Sequence, residues 1–251
     1  MTSDLLYQYV IRLADNCLIY GQRISEWCGH GPVLEEDIAL SNTALDYLGQ
    51  ATNLFKYAAL VEGNDRDEDQ LAFLREASEY RNLLLLELPN GDYATTIARQ
   101  FLYSNFYLLL LEKLTASTDE FLKGFAEKSI KEIRYHVQHS SDWVLRMGDG
   151  TEESHQRIQK AFNELWEYTP EFFMADELDE VAALSGVGVA FPALKQPWLE
   201  RVSAIMTGAT ITVPADAWGQ RGGKQGKHTE HLGFILAEMQ FLQRAYPGAK
   251  W

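Results

Sequence analysis

The string Lys131-Glu132-Ile133-Arg134-Tyr135-His136 carries a carboxylate and an imidazole close together in a stretch with helical periodicity. The chemistry such residues suggest is a carboxylate-bridged pair of iron ions inside a four-helix bundle. That site takes one Glu from each of two helices and a Glu-x-x-His from each of the other two. The three-residue step puts both side chains on one helix face, where they reach the same metal pair. Here Tyr135 occupies the histidine position and His136 comes one residue late, which turns its side chain by about 100° around a helix. Asp46 stands in a polar stripe with Asn42, Gln50 and Asn53, Asn105 replaces a carboxylate in the middle of another long segment, and Glu26 lies near the end of the first. Asp46, Glu132 and Glu26 are therefore the candidate carboxylates and His136 the candidate imidazole, with Arg23 and Arg134 nearby. These donors fall short of the six that two irons require. Glu26, Asp46, Asn105, Glu132, Tyr135 and His136 are read as a vestigial metal-site region in which hydrogen bonds and ion pairs replace the metal. No catalytic residue, metal ligand or cofactor is expected in this chain.

Other clusters are weaker. His228, Glu230 and His231 form a second His/Glu group, but adjacent helical residues point apart, and Glu230 is expected to complement a helix dipole. His139 extends the Glu132 and His136 face by one turn and is expected to be a core or rim residue. Gly219 to Lys227 holds four glycines and three cations, a flexible basic loop that lacks the strand and the Gly-Lys-Ser/Thr ending of a phosphate-binding loop. Its functional reading is a docking element for an acidic partner or an anionic substrate tail. Cys17 and Cys28 would stand about 16 Å apart along one helix, too far for a disulfide. Both are expected to be small buried residues.

The elements that must position these groups are long helices. Apolar residues recur at three- and four-residue steps: Leu6, Tyr9, Val10, Leu13 and Cys17, then Ile38, Leu45, Leu48 and Phe55. The first helix, capped by Ser3 or Asp4, should run to about Trp27, and the second from about Val33 to Glu62, roughly 45 Å. A shorter helix over Asp69 to Arg81 precedes the turn Pro89-Asn90-Gly91, and long helices over Asp92 to Ala116 and Asp119 to Met147 follow. The expected fold is all-α, a ferritin-like up-and-down four-helix bundle in a single domain, with its core at about 3–148 and peripheral helices and loops at about 151–251. In that periphery helices are expected over Glu152 to Tyr168, stopping before Pro170, over Trp198 to Met206, and after a Thr229 cap; Thr210 to Val213 reads as a short extended piece.

Composition narrows the class. A chain of 251 residues with 46% hydrophobic content can bury a large core. Its net charge of −14 repels nucleic-acid phosphates and anionic lipid surfaces. No apolar run reaches the roughly 20 residues of a membrane span, and no signal peptide opens the sequence, so a cytoplasmic protein with neither nucleic-acid nor membrane partner is expected. The six tryptophans and the apolar residues spread around the helices favour a large partner surface.

Seven strings carry a resemblance: Asp15-Asn16-Cys17-Leu18, Glu26-Trp27-Cys28-Gly29-His30, Leu45-Asp46-Tyr47-Leu48-Gly49-Gln50-Ala51, Pro89-Asn90-Gly91, Thr96-Ile97-Ala98-Arg99-Gln100, Lys131-Glu132-Ile133-Arg134-Tyr135-His136 and His228-Thr229-Glu230-His231-Leu232-Gly233. Over nearly its whole length the chain resembles the PaaC-type subunits of the bacterial phenylacetyl-CoA epoxidase (1,2-phenylacetyl-CoA monooxygenase) complex. The resemblance implies a ferritin-like, structural subunit that keeps a homologous catalytic oxygenase subunit, of PaaA type and carrying the di-iron site, in its active conformation during aerobic phenylacetate degradation. Other subunits of the complex are implied as partners. It also implies that Glu79, Tyr80, Arg81 and Asn82 contact the CoA thioester, a role the residue types suit, since Arg pairs with phosphate and Tyr can stack. Two other readings stay open at this point: a di-iron oxygenase with atypical ligands, and a stand-alone ferritin-like binding protein.

Overall fold

In the computed structural model, which describes residues 1–215 and 218–249, the periodic stretches form ten α-helices and, among the described residues, no strand. They are α1 (Ser3–Ser25), α2 (Leu34–Glu62), α3 (Glu68–Phe73), α4 (Tyr93–Leu114), α5 (Glu120–Gly148), α6 (Glu152–Leu165), α7 (Glu177–Leu184), α8 (Lys195–Gly208), α9 (Glu230–Met239) and α10 (Phe241–Ala245). The chain folds as two compact units, Thr2–Pro89 with the segment from Arg221 onward, and Met1 with Asn90–Gln220.

The first unit is built on α1 and α2. The register Cys17 to Gln50, Tyr20 against Tyr47 and Gly21 against Leu48 shows that the two helices run antiparallel. A Cβ at Gly21 would stand 3.0 Å from the Leu48 side chain, so glycine there lets the helices approach closely. Thr2, not Ser3 or Asp4, caps α1 by accepting from the Leu5 amide. Gly63, in the left-handed conformation, ends α2. Cys17 is buried as expected, whereas Cys28 is exposed in the turn after α1. The second unit pairs α4 with α5, capped by Asp92 and Asp119, and Tyr93 meets Trp143 edge to face near the start of one helix and the end of the other. Its aromatic core joins Phe106, Phe172, Phe173, Phe191 and Trp198, whose indole N–H donates to the Leu102 carbonyl at 3.0 Å. Two pairs of long helices, one in each unit, are the helical complement of the ferritin-like class.

Four details differ from the pattern. The helix expected over Asp69 to Arg81 is broken: α3 stops at Phe73, a single 3-10 turn covers Ala77–Glu79, and the chain then runs irregularly, because its backbone is bonded to side chains of α1. The helix expected to stop before Pro170 changes at Leu165 into a 3-10 helix, Trp166–Phe173, which contains that proline. Thr210 to Val213 is a turn and irregular chain with Thr210 at φ +59°, which an extended piece excludes. Helix α7 was not expected at all. Of the six tryptophans, Trp166 and Trp198 are core residues, Trp218 is exposed, and Trp251 lies outside the described residues. Among the described residues no helix is long and apolar enough to cross a membrane.

Candidate functional site

Residues 75–88 form a strap that is helical only in the short 3-10 turns Ala77–Glu79 and Leu84–Glu87, and its other backbone polar groups need partners that a longer helix would have supplied. Helix α1 supplies three of them, from the adjacent Asp15 and Asn16 and, about two turns on, from Arg23. Asp15 accepts from both terminal nitrogens of Arg75 and, at 2.8 Å, from the Arg81 amide. Asn16 accepts from the Leu83 amide at 2.8 Å. Arg23 donates to the Glu87 carbonyl at 2.7 Å while pairing with Glu26 at 2.6 Å. The Arg75–Asp15 pair is sealed from solvent, and the Arg75 guanidinium lies 4.2 Å from the centroid of the Tyr80 ring. Burial alone would lower the Arg75 pKa, but the Asp15 carboxylate outweighs it and the guanidinium is held above its ordinary value.

The C-terminal segment closes the other side of the strap. The ring nitrogens of His228 stand 2.8 Å from Glu87 Oε2 and 3.0 Å from the Tyr80 carbonyl, and the Thr229 amide donates to Glu87 Oε1 at 2.5 Å. Asn82 also donates to Glu87, at 2.9 Å. Gln240 bonds the Arg75 carbonyl and the Tyr80 hydroxyl, and Arg244 bonds Glu76 and the Arg75 carbonyl. The basic loop expected to be flexible is packed here. A Cβ on Gly223 would collide with the Asn82 carbonyl oxygen, and one on Gly226, at φ +73°, with the Ser78 carbonyl oxygen. Only glycine admits so close an approach, and Lys224 of the same loop is buried.

The strap contains the four residues implied as substrate contacts, and it treats them differently. Tyr80 and Asn82 are fully buried, so the Tyr80 ring is not available for stacking from solvent. Burial pushes the Tyr80 hydroxyl pKa well up, against the opposing charge of Arg75, and that hydroxyl donates to the Ala72 carbonyl. Glu79 is exposed, with its carboxylate accepting from the Glu76 amide. Arg81 is half-buried. Its Nη1 donates to the Ser78 and Tyr80 carbonyls at 2.6 and 2.7 Å, and its other guanidinium donors make no contact with a protein acceptor among the described residues. The strap thus offers a fixed cation at its surface, a group suited to a phosphate or carboxylate.

The vestigial metal-site residues are placed as follows. Glu26 is exposed and paired to Arg23, and Asp46 is half-buried on α2, whose buried positions nearby are Thr43, Tyr47 and Gln50. Asn105 is buried on α4 with its amide donating to the Phe101 carbonyl of the preceding turn. On α5 the buried positions around Glu132 include Ser129, Ile130, Ile133, His136 and Ser140. His136 is therefore the inward residue, Glu132 is half-buried, and Tyr135 is 51% exposed with its ring stacked on His139. Tyr135 thus lies off the buried face of α5, which passes through His136. Among the described residues no group of three or more His, Cys, Asp and Glu side chains could hold a metal ion.

Reading the sequence missed Arg75, Glu87, His228 and Gln240 as the framework of the strap. One signal was available: Glu87 is a lone carboxylate within the apolar run Leu83 to Leu88, and a charge in such a run is buried only with partners.

Comparison with known proteins adds two findings. The family model described as phenylacetic acid catabolic protein matches residues 1–251, the entire chain. The chain is 48% identical over 246 residues, 98% of its length and 99% of the relative's, to a protein of Escherichia coli (strain K12) named as the C-type subunit of 1,2-phenylacetyl-CoA epoxidase. On both findings, the chain belongs to the phenylacetic acid catabolic protein family.

Proposed function

We propose that this chain is a structural, non-catalytic subunit of a cytoplasmic phenylacetyl-CoA epoxidase, holding a homologous di-iron oxygenase subunit in its active conformation. The observation that carries the reading is the donor set of α5, where the buried face offers a single imidazole, His136, flanked by serines and isoleucine. The 48% identity to an epoxidase subunit of Escherichia coli supports the same assignment. In this reading the chain binds no metal or other cofactor, and the redox chemistry belongs to the partner. The exposed donors of Arg81 support a second element: that the strap contacts the anionic CoA portion of the thioester, with Glu79 beside it and Tyr80 and Asn82 fixing its shape. The test is reconstitution. Epoxidation of phenylacetyl-CoA by the catalytic subunit with its reductase should need this chain, while this chain with the reductase alone should give no turnover. Turnover by the chain without the catalytic subunit would reject the proposal.

A further inference from the structure

His228 sits between two groups that, with the Glu87 carboxylate ionised, both accept. The Tyr80 carbonyl, 3.0 Å from Nε2, has no proton to give. The Glu87 carboxylate, 2.8 Å from Nδ1, already receives the Asn82 amide on the same oxygen and the Thr229 amide on the other. A neutral imidazole has one N–H, so one of its two contacts would set lone pair against lone pair. With Glu87 ionised, both contacts are satisfied together only when both ring nitrogens carry hydrogen; the alternative keeps that proton on the Glu87 carboxyl, and ring-nitrogen NMR tells the two apart. The ring is 5% exposed and the carboxylate fully buried, so water cannot take over either bond cheaply.

We propose that His228 is held as an imidazolium and acts as a proton-linked clamp that docks the C-terminal segment, from the basic loop through α9, onto the strap. The inference does not depend on the function proposed above. Charged groups occur on each element that packs around the clamp. From α1 come Asp15, committed to Arg75, and Arg23, committed to Glu26 and the Glu87 carbonyl. The strap contributes Arg75, Glu76, Glu79, Arg81 and Glu87, and the C-terminal segment Arg221, Lys224, Lys227, Glu230, His231 and Arg244. Of these only His228 and His231 ordinarily titrate near neutrality. Burial lowers the His228 pKa, but the hydrogen bond and charge of Glu87 outweigh burial and raise it above its ordinary 6.5.

The sign of the pH effect follows. A histidine whose docked pKa is raised contributes docking strength that is complete below the undocked value of about 6.5 and is lost as pH rises through the docked value. Between those two limits docking weakens tenfold for each pH unit, and it is flat outside them. Two measurements test this on the full chain. Ring nitrogen NMR of the histidines, with the His228 signals assigned by their loss in His228→Gln, should show both His228 nitrogens protonated at pH 6.5 to 7. Amide hydrogen exchange of the segment after Arg221, corrected for intrinsic pH dependence, should show protection falling across the same window. Glu87→Gln supplies a donor to a neutral imidazole while still accepting from Thr229, but loses the Asn82 bond at the same atom, so it should weaken the docking and lose the pH step. His231→Gln should retain the step. A His228 ring with one proton at pH 6.5, or protection constant from pH 6 to 9 in the unaltered chain, would overturn the proposal.

Discussion

Removing the Asp15 carboxylate should unfold the strap before it unfolds the long helices. Asp15 is fully buried and accepts three hydrogen bonds, two from Arg75 and one from the Arg81 amide. In Asp15→Ala the Arg75 guanidinium, with 4% of its side chain exposed, would remain buried with no counter-ion. Breaking a buried pair from one side costs about 3–5 kcal/mol, mostly from stranding the remaining charge. The orphaned Arg81 amide adds about 1 kcal/mol or more. Against a typical folding stability of about 5–15 kcal/mol this is a large fraction. Arg75 also donates to the Leu71 and Glu79 carbonyls and faces Tyr80, so Arg75→Met should be costly in its own right. The double variant should then lie well short of the sum of the two, because the stranded charge is gone. Urea unfolding of the four proteins reads this coupling directly, and limited proteolysis shows whether residues 75–88 open first. If Asp15→Ala cost less than about 1 kcal/mol, or if the two substitutions added, the strap would not depend on this pair.

Other outcomes follow from the same geometry. Gly223→Ala should cost about 1–3 kcal/mol by thermal denaturation, since its methyl would press on the Asn82 carbonyl with backbone on both sides. Tyr80→Phe should cost about 1–2 kcal/mol, read by urea unfolding, because it removes the bond to the Ala72 carbonyl and one of the two acceptors of Gln240. In the reconstituted complex, Arg81→Ala should raise the apparent KM for phenylacetyl-CoA several-fold, alongside a stability loss of about 1–2 kcal/mol from the two Nη1 bonds to the Ser78 and Tyr80 carbonyls. An unchanged KM would remove the substrate-contact role.

Long-range periodicity made the four main helices legible, with the expected starts at Asp92 and Asp119 falling on the residues that cap α4 and α5 in the structure. The all-α class follows from the same signal. The strap was not legible. Its residues 75–81 have acceptable helix propensity, and what breaks the helix is competition from Asp15 and Asn16, sixty or more residues away. Tertiary hydrogen bonds overrode local preference there. The orientation of α5 was half legible: spacing identified His136 as out of step with a Glu-x-x-His pair, but not that the buried face runs through His136 and leaves Tyr135 outside. That requires knowing which face packs, and α5 carries apolar residues on more than one side. The loop rich in glycine looked mobile because glycine marks both flexibility and close approach; the Asn82 and Ser78 carbonyls decide for close approach.

The proposed role of this chain as a scaffold without redox chemistry is tested most directly by metal analysis of the purified protein, produced with iron supplied in excess and assayed with and without the catalytic subunit. Iron should stay far below one ion per chain when the protein is alone and track the catalytic subunit when both are present. Close to two tightly held irons per chain in the isolated protein would contradict the assignment.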